Sequence, residues 1–140
     1  MFGLEHFLLK STAIVIDDEP DVRDVFSECL PLFDVEVLAK GNDGKEAVEL
    51  YKKHRPEIVL MDILMPLYDG VYGFEKIREF DPNAKIIIIT ASIGSDVEQK
   101  LIEKNASAII WKPFDMEKLQ KTVERVKNGE SKIILRKSSR

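Results

Sequence analysis

Five polar side chains of this sequence stand at the ends of apolar runs, and side chains of these types could together handle phosphate. Each lies at the last position of its run or within two residues after it: Asp17 and Asp18, Asp62, Thr90, and Lys112. Three carboxylates held close together repel one another, and a hard divalent cation that prefers oxygen ligands, such as Mg²⁺, relieves that repulsion. An amine and a hydroxyl can both donate hydrogen bonds to phosphate oxygens. If the fold brings the five together, their chemistry predicts a magnesium site that receives a phosphoryl group.

Asp62 is the candidate nucleophile, because a carboxylate can form an aspartyl phosphate. It follows Ile58–Met61, an apolar run between two prolines that is typical of a buried central strand. An acid at this point lies at the carboxyl edge of a parallel sheet, where open α/β folds bind their ligands. Taken singly, the five residues also fit ordinary roles: helix-start acids, a turn cap, a β-former and a solvated lysine. Their convergence favours the functional interpretation.

The elements that must position these residues follow from the apolar periodicity. Runs rich in Ile and Val predict five strands, and apolar stripes with spacings of three and four predict five helices that alternate with them. Such alternation implies parallel strands joined by right-handed crossovers, with helices on both faces. We therefore predict an α/β fold with a doubly wound five-stranded parallel sheet, flavodoxin-like, in the order 2-1-3-4-5.

Composition narrows the classes of function. The formal net charge of −4 argues against a surface that neutralises nucleic-acid phosphates, so no direct nucleic-acid binding is expected. The single cysteine, Cys29, excludes an intramolecular disulfide and favours the cytoplasm. No stretch reaches the ~20 apolar residues that a membrane-spanning helix needs. The partners expected are proteins and small ions.

Four motifs make the sequence resemble the receiver domain of two-component response regulators, over roughly residues 12–127. They are Ile16–Glu19, Met61–Pro66 with Asp69-Gly70, Thr90-Ala91, and Lys112–Phe114. The resemblance implies that Asp62 accepts a phosphoryl group from a phosphohistidine on a sensor histidine kinase or phosphotransfer protein. It also implies that Mg²⁺ is bound by Asp18, Asp62 and the backbone carbonyl of Leu64, with Asp17 acting largely through water.

The same resemblance implies a switch. Thr90 and Lys112 would contact the phosphoryl oxygens, and phosphorylation would repack the face formed by the fourth helix, the fifth strand and the fifth helix toward a downstream protein target. The chain would act only on its own phosphorylation and dephosphorylation, and in that sense it is not an enzyme. Ile109 departs from the family pattern, which usually has an aromatic residue three positions before the lysine. Trp111 shares the face of Ile109 by strand alternation.

Leu64 is a second informative position, because a side chain there lies near the path of the water that attacks the phosphoaspartate in this family. Leucine cannot orient a water molecule, so slow self-dephosphorylation is expected. A phosphohydrolase with an aspartyl nucleophile is an alternative function, but it would need a second Asp where Leu64 stands. A receiver-shaped interaction module that no longer needs phosphate is a third function.

The two ends carry no site motif. Residues 1–11 are predicted to be an N-terminal extension whose apolar residues either pack on the domain or join two copies as a homodimer. Residues 128–140 are predicted to be a tail without an output domain. That tail is either solvated or weakly docked, or it is a basic, apolar segment that binds a partner.

Overall fold

The computed structural model describes residues 10–135, in which six strands alternate with five helices and one 3₁₀ turn. The strands are β1 (Ser11–Ile16), β2 (Val35–Gly41), β3 (Ile58–Met61), β4 (Lys85–Thr90), β5 (Ala108–Trp111) and β6 (Ile133–Leu135). The helices are α1 (Pro20–Cys29), α2 (Gly44–His54), α3 (Gly70–Phe80), α4 (Ser95–Glu103) and α5 (Met116–Lys127). Residues 1–9 and 136–140, which hold most of the predicted N-terminal extension and the end of the tail, lie outside the described range.

All strands run parallel in one sheet of order β2-β1-β3-β4-β5-β6. The first five therefore stand in the predicted order, and the α/β class is confirmed. The predicted count of five strands is wrong, because Ile133–Leu135 of the predicted tail pairs with β5 as a sixth strand. Three apolar residues between basic neighbours, with no described helix after them, gave no strand signal in the sequence.

The helices cover both faces of the sheet, which divides the core into two clusters. The first lies under α2, α3 and α4 and includes Ile14, Tyr51, Met61, Phe74, Ile77, Ile88, Leu101 and Ile109. The second lies under α1 and α5 and includes Val15, Phe26, Leu30, Leu60, Ile89, Ile110, Leu119 and Val123. Because both faces of β3 and β4 are covered, these strands are apolar at nearly every position. Trp111 packs against the same cluster as Ile109, as strand alternation predicted.

The first helix is shorter than the apolar stripe of its sequence, which continues through Leu30 and Phe33. It ends at Cys29, and a 3₁₀ turn of Leu30–Phe33 follows because Pro31 cannot continue an α-helix. Val25 lies on this apolar stripe, yet it is 50% exposed. Cys29 is free and half-buried. Within residues 10–135, no helix is both long enough and apolar enough to cross a membrane.

Candidate functional site

Acidic side chains converge where β1 and β3 end. Asp17 directly follows β1 and Asp62 directly follows β3, and the two strands pair in register up to Ile16 and Met61. The Asp62 amide donates to the Ile16 carbonyl at 3.0 Å, so the pairing carries one step past the strands. Both carboxylates are buried, with the residues 2% and 7% exposed. The predicted edge position of Asp62 is therefore confirmed.

The exposed Asp18 completes an acidic cluster with these two buried residues. One carboxylate oxygen from each of Asp17, Asp18 and Asp62 lies within 4.8 Å of the others. All three ligand atoms are hard oxygens, two from buried residues and one from an exposed residue. Mg²⁺ prefers such ligands and commonly keeps several waters, so the residues present fit the predicted ion.

Lys112 joins the cluster from β5. Its Nζ lies 3.4 Å from Asp17 Oδ2 and 3.3 Å from Asp62 Oδ2. Burial lowers the pKa of the Lys112 amine, but the charges of Asp62 and Asp17 outweigh it, and the net pKa shift is upward. Lys112 is therefore a stable ammonium group that bridges the two buried carboxylates.

One ammonium group does not compensate for the acids around it. Burial raises the pKa of the Asp17 carboxyl above its ordinary value, and neither the hydrogen bond from the Glu19 amide nor the charge of Lys112 cancels that rise. The negative charge of Asp62 adds to it. Three acidic residues thus stand beside one lysine, and a bound cation would offset the excess negative charge.

The carboxylate of Asp62 is held through both oxygens. Its Oδ1 accepts hydrogen bonds from the amides of Ile63 at 2.7 Å and Leu64 at 3.3 Å. Its Oδ2 faces Lys112. Because the donors are backbone groups and one bridging ammonium, the orientation of the carboxylate is set by the strand and the loop that follows it.

Thr90 and Leu64 occupy opposite environments at the same edge. Thr90 is the last residue of β4 and is fully buried, and its Oγ1 donates to the Ser92 carbonyl at 3.5 Å. Its own carbonyl accepts from the Lys112 amide at 2.8 Å, which ties the ends of β4 and β5 together. The Leu64 side chain is 57% exposed. The roles assigned to these two residues stay predictions.

A tight backbone crossing supports the loop behind Asp62. The Gly70 amide donates to the Ile63 carbonyl at 2.9 Å. A side-chain carbon at Gly70 would collide with the backbone carbonyl oxygen of Asp62, so only glycine fits there. Asp69 caps α3 by accepting from the Tyr72 amide at 3.0 Å. The Asp69-Gly70 turn signal in the sequence thus marks a close approach of α3 to the site.

Arg23 is a supporting residue that the sequence did not reveal. Its Nη1 donates to the Asp17 carbonyl at 2.7 Å and so fixes the backbone at the end of β1. Arg23 belongs to no recognisable sequence motif. Its contact with Asp17 could not be predicted, because it depends on how α1 is rotated against the sheet. The spacing of six residues from Asp17 gave no local signal either.

An apolar groove lies beside Lys112, between α1 and the start of α5. It has a volume of about 460 Å³, and its lining includes two acids and six apolar residues: Glu19, Asp21, Val22, Val25, Phe26, Pro113, Phe114 and Met116. The rings of Phe26 and Phe114 stack with centroids 6.0 Å apart. The exposed Val25 therefore belongs to a continuous apolar surface that reaches the acidic cluster.

Comparison with known proteins gives a consistent result. A family model described as the response regulator receiver domain matches residues 13–124. The chain is 37% identical to protein CcdB of Bacillus subtilis over 113 residues, which cover 81% of this chain and 94% of that protein. It is 36% identical to the chemotaxis protein CheY of Halobacterium salinarum over 107 residues, or 76% of this chain and 88% of that protein.

Solved structures agree with these sequence relatives. A two-component response regulator of the LuxR family from Aurantimonas is 29% identical with a TM-score of 0.82, and the match covers 93% of this chain and 91% of that chain. A chain of the CheX-CheY-BeF3-Mg complex from Borrelia burgdorferi is 30% identical with a TM-score of 0.78, and the match covers 83% of this chain and 88% of that chain.

Proposed function

The chain belongs to the family of response regulator receiver domains, and from this we propose that Asp62 accepts a phosphoryl group from a phosphohistidine of a sensor histidine kinase or phosphotransfer protein. The observation that carries the proposal is the bridging of Asp17 and Asp62 by Lys112 beside the third acid, Asp18. This arrangement combines a fixed carboxylate nucleophile with an excess of negative charge. A phosphoryl group brings negative oxygens, which Lys112 and a divalent cation would both neutralise.

Each site residue would have a distinct role in the phosphoryl transfer. A carboxylate oxygen of Asp62 attacks phosphorus, the P–N bond breaks, and the donor imidazole keeps the electron pair. Lys112 and the Thr90 hydroxyl donate hydrogen bonds to the phosphoryl oxygens. When bound, Mg²⁺ would be held by Asp18, Asp62 and the Leu64 carbonyl, with Asp17 acting through water, and it supplies further positive charge.

The phosphodonor protein would approach over the apolar groove beside Lys112. The groove is continuous with the acidic cluster, because Lys112 lines both. Its exposed Val25 and Met116 offer apolar contact area to a protein partner next to the phosphoacceptor. The donor would thus be held where its phosphohistidine can reach Asp62.

The output would be contact with another protein in the cytoplasm rather than a reaction on another substrate. Phosphorylation would draw Thr90 toward the phosphoryl group and repack the face formed by α4, β5 and α5, which then binds a downstream protein. The similar Borrelia structure, a complex of CheX and CheY with BeF3 and Mg, supports both a protein partner and a magnesium-dependent site.

Phosphoramidate, a small donor with a P–N bond, distinguishes this function from that of a phosphohydrolase. With Mg²⁺, we expect phosphoramidate to label Asp62, as detected by ³¹P NMR of the protein, while p-nitrophenyl phosphate is not hydrolysed. Leu64 stands where a phosphohydrolase would need its second acid. Multiple turnovers of p-nitrophenyl phosphate, lost in Asp62→Asn, would overturn the receiver assignment.

A further inference from the structure

The sixth strand lies along the outer edge of β5. It pairs in parallel register with that strand, with Ile133 opposite Ala108 and Ile134 opposite Ile109. Ile133 is 5% exposed and joins the core cluster under α5, whereas Ile134 packs against the cluster under α4. The strand therefore contacts both sides of the sheet, in the gap between α4 and α5.

The connection from α5 directs the chain back into this gap. Gly129 adopts a φ of +94° and Lys132 a φ of +57°, so the backbone turns twice within a few residues. The turn is closed by the Glu130 amide, which donates to the Arg125 carbonyl at 3.0 Å. The Lys132 and Ile133 amides then donate to the Ala106 and Ser107 carbonyls at 3.0 and 3.1 Å.

The strand is nevertheless short and open to water. It has three residues, and among the described strands only β5 pairs with it. Two of its three side chains are only partly buried. A strand of this kind has few contacts to lose, so it belongs to the part of a fold that opens first.

We propose that the outer edge of β5 is a strand-binding site whose occupant is β6 of the same chain, and that a partner protein binds there by displacing β6 with an extended apolar segment of its own. The partner segment would run parallel to β5 and carry apolar side chains at three successive positions, as Ile133–Leu135 do. The site itself does not depend on phosphate. Any regulation of this site by phosphorylation rests on the proposed function, in which the α4, β5 and α5 face changes, because β6 covers part of that face.

The position of Ile134 provides a link between phosphorylation and the release of β6. It lies opposite Ile109, which occupies the place three residues before Lys112 and is fully buried. A change in the packing of α4 on β5 would therefore reach β6 through this pair. Phosphorylation and release of β6 would then favour each other.

A peptide-binding experiment on the full chain tests the site. The probe is a fluorescein-labelled peptide of residues 130–137, measured by fluorescence anisotropy without phosphate donor. Ile133→Asp places a charge in the core and should release β6, whereas Ser131→Asp is exposed and precedes the strand. We expect saturable binding to Ile133→Asp and binding at least about tenfold weaker to the native chain and to Ser131→Asp, because an attached strand competes at a roughly millimolar effective concentration.

Three controls make the outcome decisive. A peptide with Asp at positions 133 and 135 should not bind. If Ile133→Asp does not fold, as judged by circular dichroism, Ile134→Asp replaces it, since that side chain is only partly buried. The proposal would be overturned if the peptide failed to bind a folded variant. It would also be overturned if the native chain were a dimer, with twice the monomer mass in light scattering, in which β6 is exchanged between the two copies. Labelling of Asp62 is measured separately on the same variants, so loss of the receiver function would not be mistaken for loss of this site.

Discussion

Lys112 sits between two buried carboxylates that would otherwise face each other across the ends of β1 and β3. Its ammonium group lies within 3.4 Å of both Asp17 and Asp62. Lys112 therefore has two opposing effects on the site. Its positive charge stabilises the charged carboxylates, but it also competes with a metal ion for the same carboxylate oxygens. The two effects can be separated by experiment.

Lys112→Met should slow phosphorylation by acetyl phosphate by about 10²-fold, because a positioned charge that stabilises the transferring group is lost. Mg²⁺ affinity should not fall, because a competing cation is removed from the same carboxylates. A time course of intact mass measures the first quantity, and the fluorescence of Trp111, which precedes Lys112, reports the second. Lys121→Met, at a side chain 70% exposed on α5, is the matched control. An unchanged rate of labelling would contradict the role given to Lys112.

We expect the side chain of Leu64 to influence how long the phosphoryl group stays on Asp62. Its side chain is 57% exposed and offers no hydrogen bond to an attacking water. Leu64→Asn should shorten the half-life of the phosphorylated chain, by up to about tenfold, because an amide can orient that water. The decay is followed by intact mass after the donor is removed. Leu67→Asn, at a nearby side chain that is 94% exposed, should leave the half-life unchanged, and an equal effect of both variants would refute the argument.

At the scale of elements, α2 and α3 are joined by one buried phenol. Tyr51 Oη donates to Asp81 Oδ2 at 2.6 Å, which links the end of one helix to the residue that ends the next. The hydrogen bond from Tyr51, with a second from the Asn83 amide, lowers the pKa of the Asp81 carboxyl. Burial, with the acceptor Asp81 beside it, raises the pKa of the Tyr51 phenol.

Both shifts link stability to pH. The contribution of Asp81 is present above its ordinary pKa of about 3.9 and is lost as pH falls through its lower folded value. The contribution of Tyr51 is present below its ordinary pKa of about 10 and is lost as pH rises above it. Stability should therefore decline at both extremes of pH.

Tyr51→Phe should keep the packing of the ring and remove the bond, lowering the free energy of unfolding near pH 7 by roughly 1 kcal/mol. Urea unfolding at several pH values measures it. The difference from the native chain should shrink below about pH 3 and above about pH 10. Tyr68→Phe, at a ring 39% exposed, is the control that should change neither. A difference for Tyr51→Phe that stays constant across the whole pH range would show that the bond does not couple to titration.

Elements also show where sequence patterns failed. The apolar run of β3 predicted a covered strand because both of its faces are buried at every position. The apolar stripe does not show where α1 ends, because it continues past Pro31, which interrupts the helix through a carbonyl four residues earlier. Strand β6 was missed because three apolar residues become a strand only when β5 presents an edge to pair with.

At the scale of the whole molecule, the site could be predicted because parallel strands bring their carboxyl ends to one edge. Asp17, Asp62 and Lys112 lie far apart in the sequence and within hydrogen-bonding range in the structure. The polar residues at the ends of predicted parallel strands therefore indicated the cluster. The contact of Arg23 with the Asp17 carbonyl could not be predicted, because it depends on how a helix is rotated in the finished fold.

We propose above all that Asp62 is the phosphoacceptor of a magnesium-dependent receiver. Intact-mass spectrometry after incubation with acetyl phosphate tests it, with the native chain and Asp62→Asn compared in Mg²⁺ and in EDTA. We predict a gain of one phosphoryl group by the native chain in Mg²⁺ and none in the other three samples. An equal adduct on Asp62→Asn, or no adduct on a native chain that binds Mg²⁺, would show that Asp62 is not the phosphoacceptor.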